Sequence, residues 1–344
     1  MIQMITYTHL TPEERATITL MLDHEFSMRK IAEKLDRNVS TISRELSRNN
    51  TKPSTYHASK AGMSYRKRRA YSVKPKKLLP NSLLWKLIEP WLVKEKWSPQ
   101  QISNRLKLHY PNQTVMHVSP ETIYAHIYAR PKGELKKMMV QSLRRSKSKR
   151  GPRGSKSSNY SSVKIEENQL IMNRPDEIDT RKIAGHWEGD LIVGAMNKSC
   201  VGTLVERKTG YLLLSKMSSK SAQSVREGFE KSMSTLQDFL RISMTYDRGA
   251  EMAQHPIMSK NLDMKIYFAD PHAPWQRGSN ENINGLIRQF LPKGTDLSVH
   301  TQPELDYIAH LLNTRPRKRF EYRTPLEMME QELEGGLLRV ALDS

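Results

Sequence analysis

Three short runs of β-forming residues follow one another closely in the second half of the chain: His186 to Gly194, Cys200 to Glu206 and Tyr211 to Lys216. The last two are joined by Arg207-Lys208-Thr209-Gly210, a hairpin connection containing glycine. In the first run Glu188 and Asp190 alternate with small or apolar residues and lead into an apolar stretch, which predicts a strand with Asp190 near its middle. Ser221 to Leu236 then reads as a helix with Val225, Phe229, Met233 and Leu236 on one face. Another β-rich run, Arg241-Ile242-Ser243-Met244-Thr245-Tyr246, leads directly into Asp247.

Strand, strand, strand, helix, strand, strand, helix is the order of an RNase H-like sheet, so an α/β core of that type is expected. Asp247 should lie at a strand's C-terminal end, where α/β sheets commonly place their chemistry. Gly278-Ser279-Asn280 reads as a turn and N-cap before a helical pattern running to Phe290, which puts Glu281 in that helix's first turn. A strand-end aspartate and a helix-borne glutamate, with 33 residues between them, could share one cation, and Asp190 is the third partner. Glu188, two residues away and on the same strand face, is an alternative ligand that spacing does not exclude.

Four blocks carry a family resemblance: His186-Trp187-Glu188-Gly189-Asp190; Tyr246-Asp247-Arg248-Gly249; Asp270-Pro271-His272-Ala273-Pro274-Trp275-Gln276-Arg277-Gly278-Ser279-Asn280-Glu281-Asn282; and Phe290-Leu291-Pro292-Lys293-Gly294-Thr295-Asp296-Leu297. They resemble the signature blocks of bacterial insertion-sequence transposases of the IS30 (insertion sequence 30) family, and the resemblance spans nearly the whole chain. It implies a DDE-type RNase H-like core of the retroviral-integrase superfamily, with Asp190, Asp247 and Glu281 as catalytic residues and metal ligands. It also implies a DNA contact at Arg288, seven residues after the glutamate. Lys293 joins Arg288 as a DNA-binding candidate, and Trp275 and Arg277 flank the catalytic helix in a position suited to meeting DNA.

The formal charge of +20, from 56 Lys and Arg against 36 Asp and Glu, argues for a polyanionic partner. Cys200 is the only cysteine, which leaves no intramolecular disulfide and no cysteine-based zinc site. No apolar run approaches a membrane span and no leader pattern opens the chain, so a soluble, cytoplasmic, nucleoid-associated protein with no membrane partner is expected.

Residues 1–50 read as a first helix-turn-helix domain. A helix opens at Leu10-Thr11-Pro12, a second covers Met28 to Leu35 behind Ser27, and a third runs from Ser40 to about Arg48. The third is the expected recognition helix, with Ser40, Thr41, Ser43, Arg44 and Arg48 as DNA-binding candidates. Residues 51–80 read as a basic linker with some helix around Ala58 to Ala70, and its cation runs could track a DNA backbone. Residues 81–130 read as a second helix-turn-helix domain, its recognition helix at about Pro120 to Tyr128. Thr122, Glu121 and His126 are base-contact candidates there, although a purely structural bundle fits the pattern nearly as well. Residues 131–175 read as a flexible basic connector, with eleven Lys or Arg and one acidic residue between Ala129 and Ser158. The catalytic domain is assigned to 176–320 and a C-terminal helix and tail to 321–344, the helix running from Pro325 to Leu333.

The carboxylate set predicts metal-assisted phosphoryl transfer. Charge must be neutralised at both the entering and the leaving oxygen, and two Mg²⁺ about 3.5 to 4 Å apart do this, with carboxylates as their preferred hard ligands. Asp190 would bridge the ions, Asp247 and Glu281 would each hold one, and Mn²⁺ would be able to substitute. His186, His255 and His272 have no zinc-like spacing and read as structural, and Asp263 and Asp270 read as turn or capping residues. The expected function is Mg²⁺-dependent cleavage and joining of DNA strands at the terminal inverted repeats of the element, by a homodimer or higher homo-oligomer on double-stranded DNA. End joining through a circular or figure-eight intermediate is what the resemblance implies. A DNA-binding regulator without catalysis and a metal-dependent nuclease are the alternatives.

Overall fold

A computed structural model describes residues 8–49, 55–72, 77–79, 81–129, 133–142, 165–271 and 273–343. The chain divides into two compact units, residues 1–76 and 77–344.

In the first unit, α1 (Pro12–Asp23) and α2 (Met28–Lys34) lie where the caps predict, and α3 (Val39–Arg48) starts one residue before the expected Ser40, with Asn38 as its N-cap accepting the Ser40 N–H at 2.9 Å. Thr11 and Glu14 close a capping box: the Thr11 hydroxyl accepts the Glu14 N–H at 3.1 Å, and the Glu14 carboxylate accepts the Thr11 N–H at 2.6 Å. Ile18, Leu22, Ile31, Ile42 and Leu46 form the shared core. Within 51–80, helix lies where it was expected, as α4 (Ala58–Ser72), but it packs against α1 and buries Ala61, while Tyr56 just before it enters the same core, so this part is not a linker. Its sequence hid this because only one side chain per several turns is buried, too sparse for a helical stripe to show.

The second unit opens with four helices: α5 (Leu83–Val93), α6 (Pro99–His109), α7 (Pro120–Ala129) and α8 (Glu134–Ser142). Trp85, Ile88, Leu92, Ile102, Leu106, Ile123 and Ile127 form their core. Met139 of α8 joins it, so the stretch expected to begin a flexible connector at 131 contains a packed helix. The remainder of that basic run, 143–164, lies outside the described residues. The bundle is docked on the sheet domain that follows rather than free of it. Gln101 Nε2 donates to the Pro316 carbonyl at 2.7 Å, Arg315 Nη2 donates to the Glu95 carbonyl at 3.0 Å, Lys96 lies 4.3 Å from the Phe290 ring centroid, and Arg105 makes a paired contact with Glu327.

A short helix α9 (Glu177–Thr180) precedes the sheet. Its strands are β1 (His186–Val193), β2 (Cys200–Glu206), β3 (Leu212–Lys216), β4 (Ser243–Tyr246) and β5 (Lys265–Phe268), in the order β3-β2-β1-β4-β5. β1, β2 and β3 pair antiparallel, whereas β4 and β5 join β1 in parallel. This mixed five-stranded order is the RNase H-like arrangement that the sequence predicts. One face carries α10 (Ala222–Met233) and α11 (His255–Leu262), around Trp187, Phe229, Met244 and Phe268. The other carries α12 (Gly278–Ile287) and α13 (Gln302–Asn313), around Ile192, Val205, Ile283 and Leu312. Asn313 ties α13 to the β3 edge through both amide groups, at 2.8 and 2.9 Å from Leu212. The last helix, α14 (Pro325–Asp343), continues ten residues past the predicted end at Leu333. Among the described residues no helix is long and apolar enough to cross a membrane.

Candidate active site

The alternation along β1 sends His186, Glu188, Asp190 and Ile192 to the face that carries α12. The parallel register with β4 pairs Glu188 with Thr245. Carried two residues further, it sets Asp190 beside Asp247, just beyond the end of β4. Gly189 permits this close approach, because a Cβ there would stand 2.6 Å from the Tyr246 ring.

Two carboxylates brought this close repel each other, and Arg277 compensates. Its guanidinium donates to Asp247 Oδ2 at 2.9 Å and to the Gly189 carbonyl at 3.1 Å, and lies 3.5 Å from Asp190 Oδ1. Burial opposes its charge, but Asp190 and Asp247 outweigh burial and hold the guanidinium pKa above its usual value. Burial pushes the Asp190 carboxyl above the ordinary aspartate range, with Asp247 adding to the rise and Arg277 opposing it. Arg277, read from the sequence as a DNA contact, is thus turned inward as the counter-ion of the aspartate pair.

Helix α12 begins at Gly278, so Gly278, Ser279 and Asn280 form its first turn instead of the turn and cap expected before it. The Glu281 side chain is exposed, makes no hydrogen bond or ion pair among the described residues, and lines a cavity of about 420 Å³ together with Asp190, Arg277, Asn284, Arg288 and Lys293. Asn284 donates to Asp190 Oδ2 at 2.7 Å, and the Leu191 N–H to Oδ1 at 2.9 Å. The carbonyl oxygens of Asn280 and Asn284 are buried without a partner among the described residues. The Asn280 amide nitrogen is likewise without a partner, so the site's unmet groups are two side-chain oxygens and one amide nitrogen; the oxygens, with the nearby carboxylates, are hard donors of the kind a divalent cation such as Mg²⁺ takes. No group of three or more carboxylate, histidine or cysteine side chains among the described residues is placed to hold one as the side chains stand. The structure brings Asp190 and Asp247 together and sets Glu281 on the wall of the cavity that Asp190 lines.

Glu188 is occupied elsewhere. It is fully buried, accepts Arg207 Nη1 at 3.0 Å and the backbone N–H of Asn280 at 3.0 Å, and so fastens the first turn of α12 to β1. Arg207 also reaches Asp179 at 2.7 Å. Arg288 donates to the Val193 carbonyl at 2.9 Å and the Leu291 carbonyl at 3.3 Å, closing the far end of α12 on the same strand, and burial lowers its pKa. Lys293 is exposed, and Trp275 is 75% exposed at the entrance to α12. Two polar residues escaped the sequence reading. Asn284 carries a faint signal, standing four residues after Asn280 on the inner face of α12. Glu251 lies beside Gly249, close enough that Asp247 and Asp190 help burial to raise its pKa.

The histidines take structural roles: His186 Nδ1 meets the Ser243 hydroxyl at 2.8 Å, and His255 meets the Met252 carbonyl at 2.9 Å. His272 lies outside the described residues. Asp270 receives Arg248 and Gln276, and Asp263 ends α11 in a left-handed conformation. In the first unit Ser43, Arg44 and Arg48 are exposed on α3, while Ser40 and Thr41 are half-buried. On α7 the Thr122 hydroxyl lies 3.0 Å from that of Ser119, at the helix start, Glu121 is exposed, and the His126 ring packs tilted against Trp85, centroids 4.2 Å apart. His126 is therefore a packing residue of the bundle.

Residues 6–49 match the helix-turn-helix domain family. The chain is 45% identical over 327 residues to the transposase for insertion sequence element IS1086 of Cupriavidus metallidurans, covering 95% of this chain and 96% of that one. It is 42% identical over 324 residues to transposase InsI for insertion sequence element IS30A of Escherichia coli, covering 94% and 84%. The transposase for insertion sequence element IS4351 of Bacteroides fragilis is 33% identical, with 94% and 96% covered. Among solved structures, the catalytic core domain of BIV integrase aligns with a TM-score of 0.35 and 17% identity, over 46% of this chain and 99% of that one.

Proposed function

The chain belongs to the IS30 family of insertion-sequence transposases, and on that footing we propose that it binds the terminal inverted repeats of its element and cleaves and joins DNA strands there. The observation that carries this reading is the aspartate pair: Asp190 on β1 beside Asp247 at the end of the parallel neighbour β4, with Glu281 and the cations Arg288 and Lys293 lining the cavity at Asp190.

Asp190, Asp247 and Glu281 are the residues that would hold Mg²⁺, with Mn²⁺ as a substitute. When bound, the metal neutralises charge on the entering and leaving oxygens of a phosphodiester. The chain's own groups do the rest. Asn284 and the Leu191 N–H orient the Asp190 carboxylate. Arg277 holds Asp247 and keeps the two aspartates in register. Lys293, on the cavity rim, meets the negative oxygens of an entering strand.

In the first reaction water attacks the phosphorus at the element's end, one P–O bond forming and one breaking, which frees a 3′-hydroxyl. That hydroxyl then attacks a second phosphodiester. One P–O bond again replaces another, so no external energy source is required. Two ends must meet for joining, which calls for at least a homodimer on DNA. The family likeness favours end joining through a circular or figure-eight intermediate before insertion.

The test is strand cleavage and joining on a labelled element-end duplex with Mg²⁺ or EDTA, using wild type, Asp247→Ala and Glu281→Ala. Metal-dependent products that disappear in both variants, while end binding persists, are expected. Specific binding without products from wild type would instead identify a DNA-binding regulator.

A further inference from the structure

Helix α4 lies beyond the segment that matches the helix-turn-helix family, yet it is fixed in the first unit by Ala61 in the core and by the Ala58 N–H, which donates to the Thr19 hydroxyl at 3.0 Å. Its second half, from Arg66 onward, is exposed. There Arg68 and Arg69 face Arg44 and Arg48 of α3 across a groove of about 240 Å³. Arg68 Nη1 reaches the Arg48 carbonyl at 3.3 Å, which sets the two helices' cationic ends side by side.

One carboxylate lines this groove, Glu45, and it is already neutralised. It is buried against Arg15 at 2.7 Å and also receives the Tyr56 hydroxyl at 3.2 Å. Arg44, Arg48, Arg68 and Arg69 have no carboxylate partner among the described residues. Four guanidinium groups converging from two helices, with their charge uncompensated, repel one another unless an anion lies among them. Their fork-like donors suit the paired oxygens of a phosphate.

We propose that α3 and α4 together form a phosphate clamp for duplex DNA. The early residues of α3 enter the major groove, while Arg44, Arg48, Arg68 and Arg69 grip consecutive phosphodiesters of one flanking strand. The head is then a four-helix device, in which α4 supplies affinity that carries no sequence information. This rests on the reading of the chain as a DNA-binding transposase.

The experiment measures equilibrium binding of the full-length protein to an element-end duplex and to a scrambled duplex of equal length, across a range of salt concentrations. Arg68→Ala/Arg69→Ala is compared with wild type and with Arg68→Lys/Arg69→Lys. Each phosphate contact contributes roughly 0.9 to the slope of log K against log salt. The alanine pair should therefore lower the slope's magnitude by about 2 and weaken both duplexes by the same factor, on the order of tenfold or more at 0.1 M salt. The lysine pair should retain most of the slope. Arg69→Ala alone, whose side chain makes no described hydrogen bond, should lower the slope by about 1 without shifting the thermal midpoint. An unchanged slope, or a loss confined to the element-end duplex, overturns the clamp. So does retained duplex affinity combined with lost binding of an acidic peptide, which would make the groove a protein-docking site. Failure of wild type to prefer the element end would count against the transposase reading instead.

Discussion

Glu188 stands two residues from Asp190 on the same face of β1, and spacing leaves either carboxylate free to serve the chemistry. Burial separates them. Glu188 is enclosed, with Arg207 and the Asn280 N–H filling its oxygens, whereas Asp190 opens on a cavity. A buried carboxylate at a helix's first turn both pairs with the helix dipole and fixes where that helix begins. Glu188→Ala should cost about 3–5 kcal/mol, because Arg207 loses a buried partner. Urea unfolding would measure this, and a loss under 1 kcal/mol would remove the anchoring role. Arg277 teaches a related lesson. A cation just ahead of the helix that carries Glu281 looks like a DNA contact in one dimension, and only the approach of two distant aspartates turns it into their counter-ion.

Among elements, the strands were legible because their signals are local. The alternation in β1, the glycine-containing hairpin between β2 and β3 and the caps of α1 and α2 involve residues a few positions apart. Helix α4 was half legible. Its helical character could be read, but its packing depends on Ala61 and on Tyr56 outside the helix, meeting α1 more than 30 residues earlier. Ala61→Leu tests that packing. A linker would tolerate the change within about 0.5 kcal/mol, whereas overpacking of a closed core costs about 1–3 kcal/mol. The first unit's unfolding transition should therefore move to lower denaturant. The start of α12 was misplaced by three residues because Gly278-Ser279-Asn280 has turn chemistry, and the buried Glu188 carboxylate overrides that local preference by receiving the Asn280 N–H.

At the level of the whole molecule, the second helical bundle and the catalytic core are one compact unit, joined by Arg105 with Glu327 and by Arg315 and Lys96 about Phe290. Burial alone would raise the Glu327 carboxyl, but hydrogen bonds from Arg105 and from the Thr324 N–H outweigh it and hold the pKa below the usual glutamate value. A lowered folded pKa stabilises above the unfolded value near 4.3 and loses that contribution as pH falls through the folded one. Glu327→Gln should therefore be less stable than wild type at pH 7 by about 1 kcal/mol, a figure reduced for solvent screening of a partly exposed pair. The difference should shrink as pH falls below the unfolded value near 4.3 and disappear once it lies below the lowered folded value, and a difference that persisted there would show that the charge is not what joins them. By itself the sequence determined the succession of strands and helices, the helix-turn-helix of the first unit and the family, and it singled out three carboxylates as candidates, since periodicity, caps and contiguous motifs are written within short windows. Tertiary structure decided which carboxylate anchors and which faces the cavity, that Arg277 turns inward, that α4 belongs to the head and that the second bundle sits on the core. Those outcomes depend on burial and on pairing between residues far apart in the chain, where no local pattern records the partner.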